Sequence, residues 1–508
     1  MYSVARTAAL CGIGTVMVRV EADVSDGLPV FEMVGFLSSE VREARERVKT
    51  AVRNSGFSLP VKRITVNLYP ADVKKSGTAY DLPVALALLS ACGYVERERL
   101  EEVFVAGEVA LDGRVLPVHG ILPMVLDCGK EVKACIIPKE NREEASLAEG
   151  VRLWPVESLE EAVALLNGKR EPEEAFEPLE TEGKEKGLDF SDLRGQKVLK
   201  RACEVAAAGM HNLLMIGSAG AGKSMAAKRM PTILPPMTKE ERIELLRIES
   251  VAGTVTPEQA ISMERPFRSP HHTITPQGMA GGGSGLVRPG EIPLAHNGVL
   301  FLDELTEFAP AALELLRQPL EEGRITLVRT SGSFCYPSGF MLVCAMNPCP
   351  CGEYPDRNRC RCTRSQLDRY VGRISKPILD RIDLCVEAAR VDIASLSGKR
   401  KREEGSAAIR KRVMEAQERQ QKRYSSESFR FNSRLPAEKI DRYIPLGPKE
   451  KELMEDLFRA LELSARGFYK IIKVARTIAD LNGHEEVETT DLSEAACYRS
   501  LDKRFWER

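Results

Sequence analysis

The stretch Gly217-Ser-Ala-Gly-Ala-Gly-Lys-Ser224 matches the spacing G-x-x-x-x-G-K-[ST] in full. An apolar run, Asn212-Leu-Leu-Met-Ile-Gly, precedes it, and the helix-compatible Met225-Ala-Ala-Lys-Arg follows. Such a loop cradles phosphates. Gly217, Ser218, Ala219, Gly220, Ala221 and Gly222 let backbone N–H groups face the oxygens, Lys223 reaches the β and γ oxygens, and the Ser224 hydroxyl ligates Mg²⁺. A plain Gly-rich turn is the competing reading, and the flanking strand and helix count against it. The chemistry expected here is binding of Mg·ATP.

Hydrolysis needs a second element, and Gly298-Val-Leu-Phe-Leu-Asp-Glu304 supplies one. It reads as a buried parallel strand ending in two carboxylates at the edge where ligands collect in open α/β sheets. Asp303 would hold Mg²⁺ or its water, and Glu304 would be the general base that polarises the attacking water. An Asp-Glu pair after a strand can also be a helix N-cap; the P-loop upstream favours catalysis. A third strand, Phe340-Met-Leu-Val-Cys-Ala-Met, ends at Asn347. This Asn could meet the γ-phosphate or orient the water, or could simply turn the chain before Pro348. Arg381, in Leu379-Asp-Arg-Ile-Asp383, falls on an expected loop edge, where it is either an arginine finger for a neighbouring subunit or a solvated side chain.

Other residues invite metal or nucleic acid. Cys349-Pro-Cys351 and Cys360-Arg-Cys362 can bring four thiolates round one ion, for which S₄ coordination favours Zn²⁺. The C-x-C spacing is tighter than usual, and a redox or unligated cluster is the alternative. His271 and His272 are adjacent in sequence, so they point apart in helix or strand and are not expected to ligate one ion together. Residues 275–290 are Gly-rich and include Arg288; they form either a pore loop touching DNA phosphates or an inert surface loop. Basic residues at 399–402 and 410–412, then Arg419, Lys422, Arg423 and Tyr424, could track a phosphate backbone. Glu403, Glu404, Glu415 and Glu418 among them suit a solvated helix face equally well.

These groups need a scaffold. The 508 residues suggest about three units of ~150 residues. Residues 1–168 mix β-rich and helical runs, 169–188 read as a charged linker rich in Pro and Gly, and strands and helices alternate over 189–395. The part from 396 to 508 has helical spacing and few strand formers. Lys plus Arg number 73 against 74 Asp plus Glu, so any contact with nucleic acid must come from local clusters. The longest apolar run, residues 82–95, is shorter than the ~18 residues that span a bilayer, and no secretory leader pattern opens the chain. A cytoplasmic protein without a membrane partner is expected. Thirteen unevenly spaced Cys do not form a disulfide scaffold.

Together with their neighbours, these residues resemble the ComM/YifB family of magnesium-chelatase-like AAA+ ATPases over nearly the whole chain. The resemblance rests on Val66-Asn-Leu-Tyr-Pro-Ala-Asp72, Asp81-Leu-Pro-Val-Ala-Leu, Gly107-Glu-Val-Ala-Leu-Asp-Gly113, Arg194-Gly-Gln196 and Phe267-Arg-Ser-Pro-His-His-Thr273. It extends through residues 290–304, Met346-Asn-Pro-Cys-Pro-Cys-Gly352, Leu379-Asp-Arg-Ile-Asp383 and Ala475-Arg-Thr-Ile-Ala-Asp480. It implies an α/β protein with an S5/Lon-like N-terminal domain, a P-loop AAA+ core with a parallel sheet, and a C-terminal helical bundle. It also implies a sensor-1 role for Asn347, an arginine finger at Arg381 and a sensor-2 Arg at Arg466. The function implied is a homo-oligomeric ring, expected to be a hexamer, that drives DNA branch migration on branched or single-stranded DNA. Ser218-Ala219 replace two prolines frequent in the family, which alters loop stiffness and no contacting group.

The N-terminal part is similar to the proteolytic domain of Lon, a Ser-Lys enzyme. Ala79 stands at the nucleophile position and Leu122 at the Lys position, so a scaffold without protease activity is expected; Ser76 beside Lys74 and Lys75 keeps proteolysis open. A magnesium-chelatase motor and a protein-remodelling ATPase are the alternative functions. The Lon-like domain and the Cys cluster stand against the first.

Overall fold

The computed structural model describes residues 1–508 except 130, 173–186, 257–261, 284–286, 330–331, 357, 391–402 and 500–508. Most of the expected linker, the basic run 399–402 and the boundary at 395/396 therefore lie outside the described residues.

The N-terminal part is built on a mixed seven-stranded sheet in the order Val30–Val34, Arg63–Tyr69, Gly14–Ser25, Tyr2–Cys11, Val103–Val105, Ala134–Pro138, Leu153–Val156. Its longest pairing is the antiparallel hairpin that runs from Tyr2↔Asp23 to Cys11↔Gly14. The apolar run that is too short for a membrane becomes helix Asp81–Ala91, every residue of which is buried. A helix that is apolar all round belongs in a core. Its one carboxylate, Asp81, is held by both Nε and Nη2 of Arg47 at 2.8 and 2.9 Å, so the charge is buried as a pair. Helix Ser39–Asn54 covers it with an apolar face of Val41, Ala44, Val48, Ala51 and Val52.

The central part carries a five-stranded sheet in the order Phe267–Arg268, Val299–Leu302, Met341–Met346, Leu213–Ile216, Leu384–Glu387, with every neighbouring pair parallel. Val299–Leu302, Met341–Met346 and Leu213–Ile216 are buried throughout, as strands covered on both faces must be. The sheet has two edges that matter. Residues 217, 303 and 347 leave strands at the C-terminal edge, whereas Asn212 and Asp383 enter strands at the N-terminal edge.

Beyond residue 405 the described chain is helical, with Ser406–Arg423, Pro448–Ala460, Ala465–Asn482 and Thr489–Cys497 as its long members. Ile409, Val413, Ile471, Ala475 and Leu492 share one apolar core with the P-loop helix and with helix Lys197–Gly209. The fold class is the one expected. The basic face of Ser406–Arg423 is largely spent internally: Arg412 pairs with Glu204 and Glu404, Arg423 with Asp480, and Arg419 donates to the Asp480 carbonyl. Tyr424 is buried and donates to Asn432 Oδ1. That helix is a packed element whose remaining exposed cations include Lys411 and Lys422.

The two parts meet at the positions where the sequence reading places the lost Lon-like dyad. Ala79 and Leu122 are buried in one apolar cluster that also takes in Leu246, from helix Lys239–Ala252 of the central part. The Gly120 N–H donates to Ser250 O at 3.0 Å, and Arg247 pairs with Asp127 at 2.9 Å. Lys75 is fully buried and donates its ammonium to Pro70 O. We expect the purified protein to cleave no protein substrate in any nucleotide state; proteolysis abolished by Ser76→Ala would contradict this.

Candidate functional site

The loop 217–224 joins strand Leu213–Ile216 to helix Lys223–Ile233 and turns on Gly220 and Gly222, at φ 78° and 86°. A side chain is strained at those angles. At Gly217 a Cβ would lie 2.6 Å from Ala388 O, so the loop passes too close to the neighbouring strand's end for any other residue. Gln196, from the Arg194-Gly-Gln196 motif, braces this junction by donating to Ala221 O at 3.1 Å and Ala389 O at 2.6 Å.

Two segments far apart in sequence converge on the loop. Lys223 Nζ donates to Gly217 O, Ser218 O and Asn347 Oδ1 at 2.6, 2.9 and 3.2 Å. Burial lowers its pKa, with the Asp303 carboxylate opposing. Ser224 Oγ donates to Asp303 Oδ2 at 2.6 Å. A hydroxyl and a carboxylate oxygen in contact are the hard donors that Mg²⁺ takes, and the glycine-lined cradle beside them suits a triphosphate. The residues present therefore fit Mg·ATP.

Glu304 projects outward with its side chain 61% exposed and its backbone at φ 53°, held by its N–H to Asp303 Oδ1 at 3.0 Å. It stands at the N-cap position of the following 3₁₀ turn Leu305–Glu307, but its side chain makes no capping hydrogen bond there. His272 Nδ1 lies 3.4 Å from Glu304 Oε2. Arg268 pairs with Leu300 in the parallel register, and four residues on from each come His272 and Glu304. Contrary to the expectation that adjacent imidazoles point apart, the His271 ring lies beside that of His272, with centroids 4.1 Å apart, while its Nδ1 is 2.9 Å from Thr273 Oγ1. The sequence singles out the His pair and gives no sign of its place beside Glu304.

Arg381 and Arg466 are not brought to this loop. Arg381 precedes strand Leu384–Glu387, its O accepts from Asn212 Nδ2 at 2.8 Å, and it therefore sits at the N-terminal edge of the sheet. The P-loop leaves the other end of the same parallel pair of strands. Nor is Arg381 a solvated side chain: it is only 8% exposed and its guanidinium pairs with Glu321. Arg466 Nη2 lies 3.5 Å from the same carboxylate, with its side chain 62% exposed. The two line a cavity of about 240 Å³ together with Arg434, Lys470 and Lys473. Three acids, Glu321, Asp380 and Asp383, face these five cations. Burial brings Lys470 down to about 8 despite Asp383 at 3.2 Å. An edge with an excess of positive charge suits a polyanion.

The four thiols of residues 349, 351, 360 and 362 gather beyond Asn347, all Sγ atoms within 4.8 Å of one another. Of the Gly-rich segment, the helix Pro276–Ala280 and the short pair Gly281–Gly282 with Arg288–Pro289 are described. Arg288 is exposed.

Comparison with known proteins matches three family descriptions along the chain. These are subunit ChlI of Mg-chelatase over residues 20–141, magnesium chelatase, subunit ChlI, over 189–396, and magnesium chelatase, subunit ChlI C-terminal, over 403–499. YifB of Escherichia coli (strain K12) is 40% identical over 503 residues, 99% of this chain and 97% of that one. The competence protein ComM of Haemophilus influenzae is 40% identical over 504 residues, 97% of this chain and 96% of that one. A Lon protease of Chloroflexus aurantiacus is 26% identical over 167 residues, 30% of this chain and 20% of that one.

Proposed function

The chain belongs to the ComM/YifB family of magnesium-chelatase-like proteins, and from that premise we propose that it is a Mg-dependent ATPase working as a ring-shaped motor on DNA. The observation that carries the reading is the convergence of Lys223, Ser224, Asp303 and Asn347 on one glycine-turned loop. Lys223 would hold the phosphate oxygens of ATP, and Ser224 and Asp303 would hold Mg²⁺, which would offset charge on the phosphates. Glu304 takes the proton of the attacking water, and Asn347 orients that water or the γ-phosphate. ATP and Mg²⁺ are thus assigned to this site, and Zn²⁺ to the four thiols.

Arg381 and Arg466 act on the nucleotide of a neighbouring copy. With the P-loop and these arginines at opposite edges of one sheet, a head-to-tail ring sets one edge against the other at every interface. A hexamer is the size we assign. His272 positions Glu304. His272→Ala should lower kcat by roughly tenfold with KM little changed, and His272→Asn should restore part of it. An unchanged kcat in His272→Ala would remove that role.

DNA, in branched or single-stranded form, is the partner we assign to this relative of a competence protein. Arg288 and the exposed Lys411 and Lys422 are available to phosphates. Among the described residues no helix is long and apolar enough to cross a membrane, and a cytoplasmic setting is the one we assign. A chelatase motor is the second reading, favoured by the family descriptions. ATP turnover with and without forked DNA separates them: stimulation by the fork supports the translocase, and indifference to every DNA favours the chelatase or a protein-remodelling role.

A further inference from the structure

We infer that Cys349, Cys351, Cys360 and Cys362 bind a single tetrahedral Zn²⁺ that braces the loop leaving Asn347, so that metal loading sets the turnover of the ATP site. A tetrahedron with Zn–S bonds of about 2.3 Å has S···S edges of roughly 3.8 Å. The sulfurs of Cys349 and Cys351 lie 3.3 Å apart, those of Cys349 and Cys360 3.9 Å, and those of Cys351 and Cys360 3.7 Å. Cys362 Sγ completes the group, lying within 4.8 Å of the other three sulfurs. Two of these separations fall close to the edge of one such tetrahedron, the Cys349–Cys351 pair is about 0.5 Å short of it, and all three are far from the ~2 Å of a disulfide. A multi-iron cluster, with several metals and sulfides between the thiolates, would hold them farther apart. The tight C-x-C spacing is thus no obstacle, because Gly352, at φ 79°, turns the chain directly after Cys351.

The surroundings favour an ion over an incidental cluster. The Tyr354 N–H points to Cys349 Sγ at 3.4 Å, the kind of donor that steadies a thiolate ligand. The segment between strand Met341–Met346 and helix Arg364–Val371 has almost no core of its own: Cys349, Cys360 and Leu367 are its buried cluster, with Tyr354 and Cys362 packed against it. A stretch that cannot bury enough apolar surface needs a cross-link to stay ordered. Its order matters at one end, because Asn347, two residues before Cys349, accepts the hydrogen bond from Lys223. Closing the loop on an ion removes conformational freedom that would otherwise blur the position of that amide.

Protein purified in reductant without added metal is expected to carry about one zinc per chain by elemental analysis. Releasing it with a mercurial should cut kcat by roughly 10- to 100-fold while ATP binding persists, and added Zn²⁺ should restore it after the mercurial is removed by excess thiol. Cys360→Ser with Cys362→Ser should lose the zinc, lower Tm and reproduce the low kcat; should that variant fail to fold, the release and restoration on the wild-type chain decide. Wild-type protein that has no zinc and takes up none, or a kcat unchanged when zinc leaves, overturns the inference. The effect on kcat rests on the ATPase reading, whereas zinc content and Tm do not. A zinc-loaded chain without ATP turnover would therefore count against that reading and leave the metal site standing.

Discussion

Glu304→Gln is expected to bind ATP as the wild-type chain does and to lose turnover by about 10²–10⁴-fold, the range that a positioned general base contributes. The amide keeps the size of the side chain and can still meet His272, so what disappears is the capacity to accept a proton. Lys223, Ser224 and Asp303 make their contacts without Glu304, and the cradle should remain closed on nucleotide. Lys223→Ala makes the complementary loss. Its ammonium ties Gly217 O, Ser218 O and Asn347 Oδ1 together, and without it both the charge opposite the phosphates and the shape of the loop go. Nucleotide retained on a filter, read beside phosphate release, separates the two variants. Near-normal turnover in Glu304→Gln would move the base elsewhere.

Arg381→Ala should reduce turnover by about 10³–10⁵-fold, as loss of an arginine finger does, with ATP binding intact in each subunit. The reason lies in the sheet. Arg381 sits before the first residue of Leu384–Glu387, and the P-loop follows the last residue of the paired strand Leu213–Ile216, so Arg381 has no part in its own subunit's phosphate cradle. Arg466 shares Glu321 with it, and Arg466→Ala should give a smaller loss of the same kind. Because Arg381 is buried against Glu321, its removal also leaves a carboxylate without one partner. A thermal melt must therefore accompany the assay, and Glu321→Gln with Arg381→Ala serves to relieve the orphaned charge. Full turnover in either Arg381 variant would reduce Arg381 to a structural counter-charge.

What the sequence shows and what it hides follows from the range of each interaction. The P-loop is local: eight consecutive residues carry the turn, the ammonium and the hydroxyl, and the structure keeps them in one loop. Asp303 and Asn347 are legible as strand-end polar residues, but their meeting with Ser224 and Lys223 spans 79 and 124 positions and depends on strand order. His272 shows the limit. Its contact with Glu304 exists because Arg268 and Leu300 are in register, and register between two short parallel strands leaves no mark in either segment. The joint cavity of Arg381, Arg466 and Lys470 is hidden for the same reason, since it needs helix Ala465–Asn482 to pack under the N-terminal edge of the sheet.

Charge read without partners also misleads. The basic helix Ser406–Arg423 looks able to track phosphates, yet three of its arginines are engaged by Glu204, Glu404 and Asp480, two of which lie on other helices. The apolar run 82–95 is unambiguous in composition and says only that the segment is buried; the fold decides that its neighbours are strands and helix Ser39–Asn54. The Cys pairs are the opposite case. Their C-x-C spacing is tighter than usual for one metal site, yet the chain turns at Gly352 and the four sulfurs lie within 4.8 Å of one another.

The central claim is that each ATP site is completed by the neighbouring copy, and mixing two inactive variants tests it most directly. Lys223→Ala and Arg381→Ala should each be inactive alone. In an equal mixture of co-assembled rings, an interface is intact when an Arg381→Ala subunit supplies the P-loop and a Lys223→Ala subunit supplies the arginine, which is a half times a half, or about a quarter of interfaces in a head-to-tail ring. Turnover should reappear on mixing, in proportion to that fraction. Mixed rings that form, as shown by co-purification of two differently tagged variants, yet stay as inactive as either parent would contradict the account.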